Sequence, residues 1–309
     1  MGKHDLNKFR GVIVAFYGCY DSQGEIDPQA VRELARYYKN AGVKGLYVGG
    51  SSGEGMLQST AERKLVLETV MEEVGGEMTI IAHVGAPSTR ESVELAVHAE
   101  SVHADAVSAV PSIYYRLSPD SVERHWRAMI DSTTLPFIIY HIPQLTGFHL
   151  STGMLKKLSA HENVIGVKIS SESTYELQQF KAAGGSDFLV LNGPDEQYLA
   201  GRSIGADGGI GGTYGVMPEL FLTLEKCIVD GNLELAREWQ GKINEIITEL
   251  LKFPSLYGGC KAILKLRGLD IGEPRLPLLP VTYQDQDAVM QLHHKLNAYI
   301  EEAKSLLGS

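Results

Sequence analysis

The chain has 309 residues, 44% hydrophobic and 21% charged, with 28 Lys and Arg against 38 Asp and Glu, a net charge of −10. That length suits two average domains or one large α/β barrel, and the acidic balance argues against nucleic acid as a partner, because phosphate binding needs a basic surface. No apolar run approaches the roughly 18 residues needed to span a bilayer, and the opening MGKHDLNKFRG lacks the apolar stretch of a secretory signal. Cys19, Cys227 and Cys260 make neither a zinc spacing nor a disulfide framework. The expectation is a cytoplasmic, acidic enzyme or binding protein with no membrane partner.

Short β-branched runs alternate with capped amphipathic segments. Gly11–Tyr17 reads as a strand. Asp27-Pro28 then supplies an N-cap and a first-turn proline, and Gly42 closes the helix. Gly45–Gly50 is the second strand, and Ser59 with Glu62 forms a capping box. Thr79–Val84 is the third, followed by a second capping box at Ser88 and Glu91. Asp105–Val110 is the fourth, with Ser118-Pro119 starting its helix. Pro136–Ile142 is the fifth, its helix opening at Ser151, and Val164–Ile169 is the sixth, with Ser173 and Glu176 capping next. Phe188–Leu191 and Asp207–Gly211 complete the set, and Pro218 stands near the start of the following helix.

Such alternation implies a parallel sheet. A doubly wound sheet would usually carry G-x-G-x-x-G after its first strand, and that motif is absent. The expected fold is α/β: a (β/α)8 TIM barrel over residues 1–232 with a helical appendage over 233–309 packed on it. Within the appendage, Leu233–Leu251, Gly259–Arg267 and Asp285–Leu307 read as helices, and Gly272–Pro280 as a proline-rich link.

Active sites of such barrels lie at the C-terminal ends of the strands. Lys168 stands in the apolar NVIGVKIS. A period of two puts Ile165, Val167 and Ile169 on a helix-facing side, and Gly166, Lys168 and Ser170 toward the lumen. An amine buried there should have a lowered pKa and could form a Schiff base with a ketone. The alternative is a lysine snorkelling from the strand end to solvent. Gly166 would clear room for a substrate. Tyr140 could relay a proton or could be a core tyrosine with a satisfied hydroxyl. His141 falls on the opposite, helix-facing side.

Ser51 and Ser52, within GGSSGEG, offer hydroxyls beside backbone N–H groups, which suits a carboxylate or phosphate. Gly208–Thr213 is a second glycine-rich loop, open to phosphate binding or to tight packing. Asp195 and Glu196 could accept from sugar hydroxyls or could cap a helix. Tyr114-Tyr115 could line the mouth or a subunit contact. There is no H-x-H after the first strand and no H-E-x-x-H, so no metal site is expected.

Taken together, YVGGSSGE at Tyr47–Glu54, the Tyr140-x-x-Pro143 turn, GVK at Gly166–Lys168, and NGPDE followed by ADGGIGGTY resemble the N-acetylneuraminate lyase and dihydrodipicolinate synthase superfamily. The resemblance runs from about residue 8 into the C-terminal helices. IIAHVG at Ile80–Gly85, DAVSAV at Asp105–Val110 and GGIGGTY at Gly208–Tyr214 are most similar to its lyase branch.

The resemblance implies a class I aldolase without metal or organic cofactor. Lys168 would form the covalent imine with a 2-oxo acid, and Tyr140 would handle the proton of the hydroxyl being cleaved. Ser51 and Ser52 would hold the carboxylate, while Ser170, Gly193, Asp195, Glu196 and Gly212 would surround the sugar chain. Gly212 stands where the lyases commonly have serine, and Pro194 where an aromatic residue is often seen. The synthase branch typically has arginine two residues after Pro143 for a second carboxylate, and here that residue is Leu145. The implied reaction is reversible cleavage of N-acetylneuraminate to N-acetylmannosamine and pyruvate. The alternatives are an aldolase for another 2-keto-3-deoxy sugar acid, a 4-hydroxy-tetrahydrodipicolinate synthase, or a barrel that binds a 2-oxo acid without turnover. The family also implies a homotetramer, with Tyr114 or Tyr115 near a neighbouring subunit's site.

Overall fold

The computed structural model describes residues 3–307. The strands are β1 (Gly11–Ala15), β2 (Gly45–Val48), β3 (Thr79–His83), β4 (Ala106–Ala109), β5 (Phe137–His141), β6 (Val164–Ile169), β7 (Leu189–Asn192) and β8 (Gly208–Gly211). They pair in parallel, in chain order, and β1 joins β8 from Gly11↔Gly208 to Val14↔Gly211, closing the barrel. The helices are α1 (Pro28–Ala41), α2 (Thr60–Val74), α3 (Thr89–Ser101), α4 (Pro119–Ile130), α5 (Pro143–Thr146), α6 (Thr152–Ser159), α7 (Thr174–Gly184), α8 (Tyr198–Ser203) and α9 (Pro218–Val229). Then follow α10 (Leu233–Leu250), α11 (Leu256–Leu266) and α12 (Gln286–Leu307). None is long and apolar enough to cross a membrane, among the described residues.

Local chemistry explains the helix boundaries. Asp27 accepts from the N–H groups of Gln29 and Ala30, and Gly42 ends α1 in the left-handed region at φ 85. Ser59 and Glu62 make both bonds of a capping box. The second expected box, at Ser88 and Glu91, is incomplete, and at Ser173 only the serine caps. Ser88 accepts from the Glu91 N–H, but the Glu91 carboxylate accepts from the Ser88 hydroxyl rather than its backbone. Ser173 accepts from the Glu176 N–H, while the Glu176 side chain turns to His141 at 3.3 Å. α11 starts three residues before the expected Gly259, because Ser255 caps it by accepting from the Gly258 N–H.

Strand alternation divides the apolar residues into two cores. Ile13, Ala15, Tyr47, Ile81, Ala106, Ile138, Tyr140, Leu189, Leu191 and Ile210 fill the barrel, with Phe9 joining them. Val12, Val14, Leu46, Val48, Ile80, Ala82, Val107, Ala109, Phe137, Ile139, Val167 and Ile169 face the helices. Trp239, Ile243 and Ile246 of α10 and Leu292 and Leu296 of α12 belong to that outer core, so the tail helices share the barrel's own packing.

One strand departs from simple parity. Between β5 and β6 the register jumps from Phe137↔Val164 to Ile138↔Gly166. The extra residue, Ile165, turns inward into the lumen core instead of joining Val167 and Ile169. Beyond this bulge the expected alternation resumes, which brings Lys168 to the inner face opposite Tyr140.

Candidate active site

Lys168 is nearly sequestered, at 5% exposure. Its Nζ lies 4.1 Å from the Tyr140 ring centroid and 4.7 Å from that of Tyr47. The lysine therefore points into the barrel, and snorkelling to solvent is excluded. Two aromatic faces thus flank the nitrogen at cation–π range. Gly166 does not make space for a substrate as expected. A Cβ there would lie 2.7 Å from both Cβ and the carbonyl oxygen of Leu189, so the glycine permits β6 and β7 to approach.

Tyr140 is 3% exposed and packs edge-on against Tyr47 and His83, with centroids 5.9 and 6.0 Å apart. The Tyr47 hydroxyl donates to Ser108 Oγ at 3.0 Å. His141, as its parity requires, lies outside the barrel against Phe180 and Glu176.

The loop after β2 is braced from behind. Buried Arg63 donates to the carbonyls of Gly85 at 2.9 Å and His83 at 2.6 Å. Burial pushes His83 well below the usual imidazole range, and the Arg63 charge adds to this. The neutral ring then carries its proton on Nδ1, which donates to the Gly49 carbonyl at 3.0 Å, while Nε2 accepts from the Val110 N–H. Ser52 is buried and Ser51 half-buried. Ser52 Oγ lies 3.3 Å from the Tyr257 hydroxyl, which α11 carries in from the tail.

Just beyond β7, Asp195 is buried. Its Oδ2 accepts from both the Thr213 N–H and the Thr213 hydroxyl, each at 2.6 Å. Its Oδ1 has no partner. Burial pushes this carboxyl up to about 7 despite the two Thr213 bonds, which oppose the rise, and the Lys168 charge opposes it further. Helix capping therefore does not describe Asp195. Glu196 is exposed, and its carbonyl accepts from Asn244. Gly193 donates its N–H to the Ile169 carbonyl, and a Cβ there would strike Ser170 Oγ, so those two stand side by side.

The glycines of β8 serve packing. A Cβ at Gly209 or Gly211 would collide with the Tyr198 or Tyr214 rings. Gly212 differs: its Cβ would lie 2.9 Å from Ser52 Oγ, and its carbonyl accepts from the Tyr17 hydroxyl at 2.5 Å. Tyr114 lies apart from the other groups. It is 92% exposed, at φ 83, with its ring edge-on to Tyr115. Leu145 is exposed on α5. Among the described residues no cluster of three or more His, Cys, Asp or Glu side chains is arranged to hold a metal ion.

Sequence reading missed Tyr47 as a wall of the site, as well as His83 and Tyr257. Period-two parity would have found the first two, since both are inward-facing near strand ends. Tyr257 carried no such signal, because it comes from a tail helix and reaches Ser52 only through long-range packing.

The arrangement gives a buried amine between two phenol rings, with the hydroxyl loop after β2 and the buried carboxyl after β7 both meeting the Gly211–Thr213 segment. The family model described as the dihydrodipicolinate synthetase family matches residues 8–296. An N-acetylneuraminate lyase of Mediterraneibacter gnavus is 45% identical over 292 residues, covering 93% of this chain and 92% of that protein. One from Rhizobium meliloti is 39% identical, covering 92% and 94%. The solved structure of a catalytic lysine mutant of the Ruminococcus gnavus sialic acid aldolase superposes with a TM-score of 0.94 at 43% identity, over 98% of this chain and 99% of that one. By family match, by relatives and by fold, the chain belongs to the dihydrodipicolinate synthetase family, on its N-acetylneuraminate lyase side.

Proposed function

We propose that this protein is a Schiff-base-forming lyase that cleaves N-acetylneuraminate reversibly to N-acetylmannosamine and pyruvate. The observation that carries the reading is the Lys168 amine, buried inside the catalytic end of the barrel against Tyr140 and Tyr47. Its lone pair attacks the ketone carbon of the open-chain 2-oxo acid, and loss of water leaves a protonated imine. The C3–C4 bond then breaks, and its electron pair flows into the imine to give an enamine. The C4 hydroxyl loses its proton toward Tyr140 and becomes the aldehyde of the sugar. Protonation of the enamine at C3 and hydrolysis release pyruvate and restore the amine. The ring faces over Nζ favour the cationic imine.

Ser51 and Ser52 hold the carboxylate of the 2-oxo acid, and Ser170, Gly193, Asp195, Glu196 and Gly212 face the polyol chain. Leu145 offers no charge to a second carboxylate, which supports the lyase over a synthase. The reaction needs no metal and no organic cofactor. Borohydride added with pyruvate should reduce the imine and add mass at Lys168, and Lys168→Ala should release essentially no pyruvate from N-acetylneuraminate. An unmodified Lys168 in active protein counts decisively against the mechanism.

A second reading keeps the imine and changes the aldehyde, because Gly212 removes a hydroxyl from the sugar side. Rates with a panel of aldehydes and pyruvate separate the two. The same family reading makes the protein a cytoplasmic homotetramer in which Tyr114 or Tyr115 approaches a neighbour's site. A solvent-exposed aromatic pair, one ring on left-handed backbone, supports this. Sedimentation should return four times the chain mass, and a monomer would end the proposal.

A further inference from the structure

The hydroxyl loop is gripped from outside the barrel. Glu54 closes the loop with a left-handed backbone at φ 57, a conformation that favours glycine. Its side chain supplies the restraint that holds it there. The carboxylate is fully buried, at 0% side-chain exposure, and both of its oxygens meet the C-terminal tail. Oε2 accepts from the Arg275 backbone N–H at 2.7 Å. Oε1 forms an ion pair with Nζ of Lys261 at 2.8 Å.

Lys261 is itself buried on α11, with 3% of its side chain exposed. Its Nζ also donates to the Glu273 carbonyl at 3.1 Å and lies 4.5 Å from the Tyr20 ring centroid. Burial pushes its pKa down, and the Glu54 charge opposes that. One turn earlier on the same helix, Tyr257 meets Ser52. Tyr257 and Lys261 are four apart and share a helix face. Arg275, two residues after Glu273, donates to the Leu57 carbonyl and pairs with Glu62. The tail thus holds the segment carrying Ser51 and Ser52 at several points, and the carbon–carbon chemistry uses neither Glu54 nor Lys261.

We propose that Glu54 and Lys261 form a latch through which the C-terminal tail fixes Ser51 and Ser52 for the carboxylate of the 2-oxo acid. They are positioning residues, and the inference rests on the assignment of that loop to the carboxylate. A pair serving only the fold would lower stability and leave substrate affinities in proportion. A latch weakens the 2-oxo acid selectively.

The test uses the condensation direction, with half-saturation by pyruvate and by N-acetylmannosamine measured separately. The proteins are the wild type, Glu54→Gln, and the double variant Glu54→Gln/Lys261→Met. Removing one partner leaves a buried charge alone, whereas neutralising both is better tolerated. The pyruvate KM should rise at least about tenfold in the variants, since a small misplacement of a binding group is costly. The aldehyde KM should stay within about threefold. A folded variant with unchanged pyruvate KM, or with both constants raised alike, overturns the latch.

A reading on the unaltered protein covers the case in which both variants fail to fold. Coupling between sites is reciprocal, so saturating pyruvate should slow amide hydrogen exchange at Arg275, whose N–H reports the Glu54 contact. Unchanged exchange at Arg275 overturns the proposal. Borohydride trapping separates the two readings. If pyruvate is trapped on Lys168 but neither KM nor exchange responds, the latch alone fails. If nothing is trapped, the imine reading fails first.

Discussion

Asp195 is where a single residue's environment sets a measurable property. Thr213 fixes Oδ2 as an acceptor of two bonds, so a proton taken up by the carboxyl resides on Oδ1, the oxygen without a partner. The pKa of about 7 lies some three units above the unfolded value. Between about pH 4 and pH 7 the folded state holds the extra proton, so stability from this group falls as pH rises through that window. The full difference is on the order of 4 kcal/mol. Asp195→Asn keeps a polar group at Oδ1 and cannot ionise. Its unfolding free energy, measured from pH 5 to pH 8, should lose the part of the pH slope that Asp195 supplies. An identical slope in the variant would show that the carboxyl does not titrate there. The same proton decides whether Oδ1 can donate a hydrogen bond or only accept one, which sequence alone could not specify because burial is a property of the fold.

At the scale of elements, parity carried the reading of β6 to Lys168 and failed at Ile165. A period-two pattern contains no sign of an inserted residue, and the bulge follows from how β5 and β6 meet. The strand and helix order was legible because Asp27-Pro28, Ser59, Ser118-Pro119 and Gly42 act through local bonds. Long-range contacts were not legible, and Tyr257 on Ser52 and Glu176 on His141 are both of that kind. Gly166 shows what such contacts demand. Alanine there must force β7 away from β6, an overpacking that typically costs about 1–3 kcal/mol. Because Gly166 precedes Lys168 by two residues on the same face, the shift also displaces the amine. Gly166→Ala should therefore lower both thermal stability and the rate of pyruvate trapping by borohydride. Full trapping at wild-type rate would show that the strands relax without moving Lys168.

At the scale of the whole molecule, the boundary near residue 232 divides the chain by pattern and not by core. Trp239, Ile243, Ile246, Ile247 and Leu250 of α10 are buried in the same apolar layer as Leu220, Phe221 and Leu224 of α9. Burying a side chain of this size contributes about 1.5–3 kcal/mol, so α10 alone supplies roughly 10 kcal/mol, comparable with the net stability of a typical domain. The loss of α10 also uncovers Asp195, whose backbone carbonyl accepts from Gln240 of that helix at 3.2 Å. A chain ending at residue 232 should therefore fail to form a cooperative barrel. The expected signs are a weak near-ultraviolet dichroism signal, binding of a hydrophobic dye and no imine with pyruvate. A sharp thermal transition together with a trapped Lys168 in that shortened chain would mean that the barrel closes without its tail, and that the helices beyond α9 add assembly or affinity rather than fold.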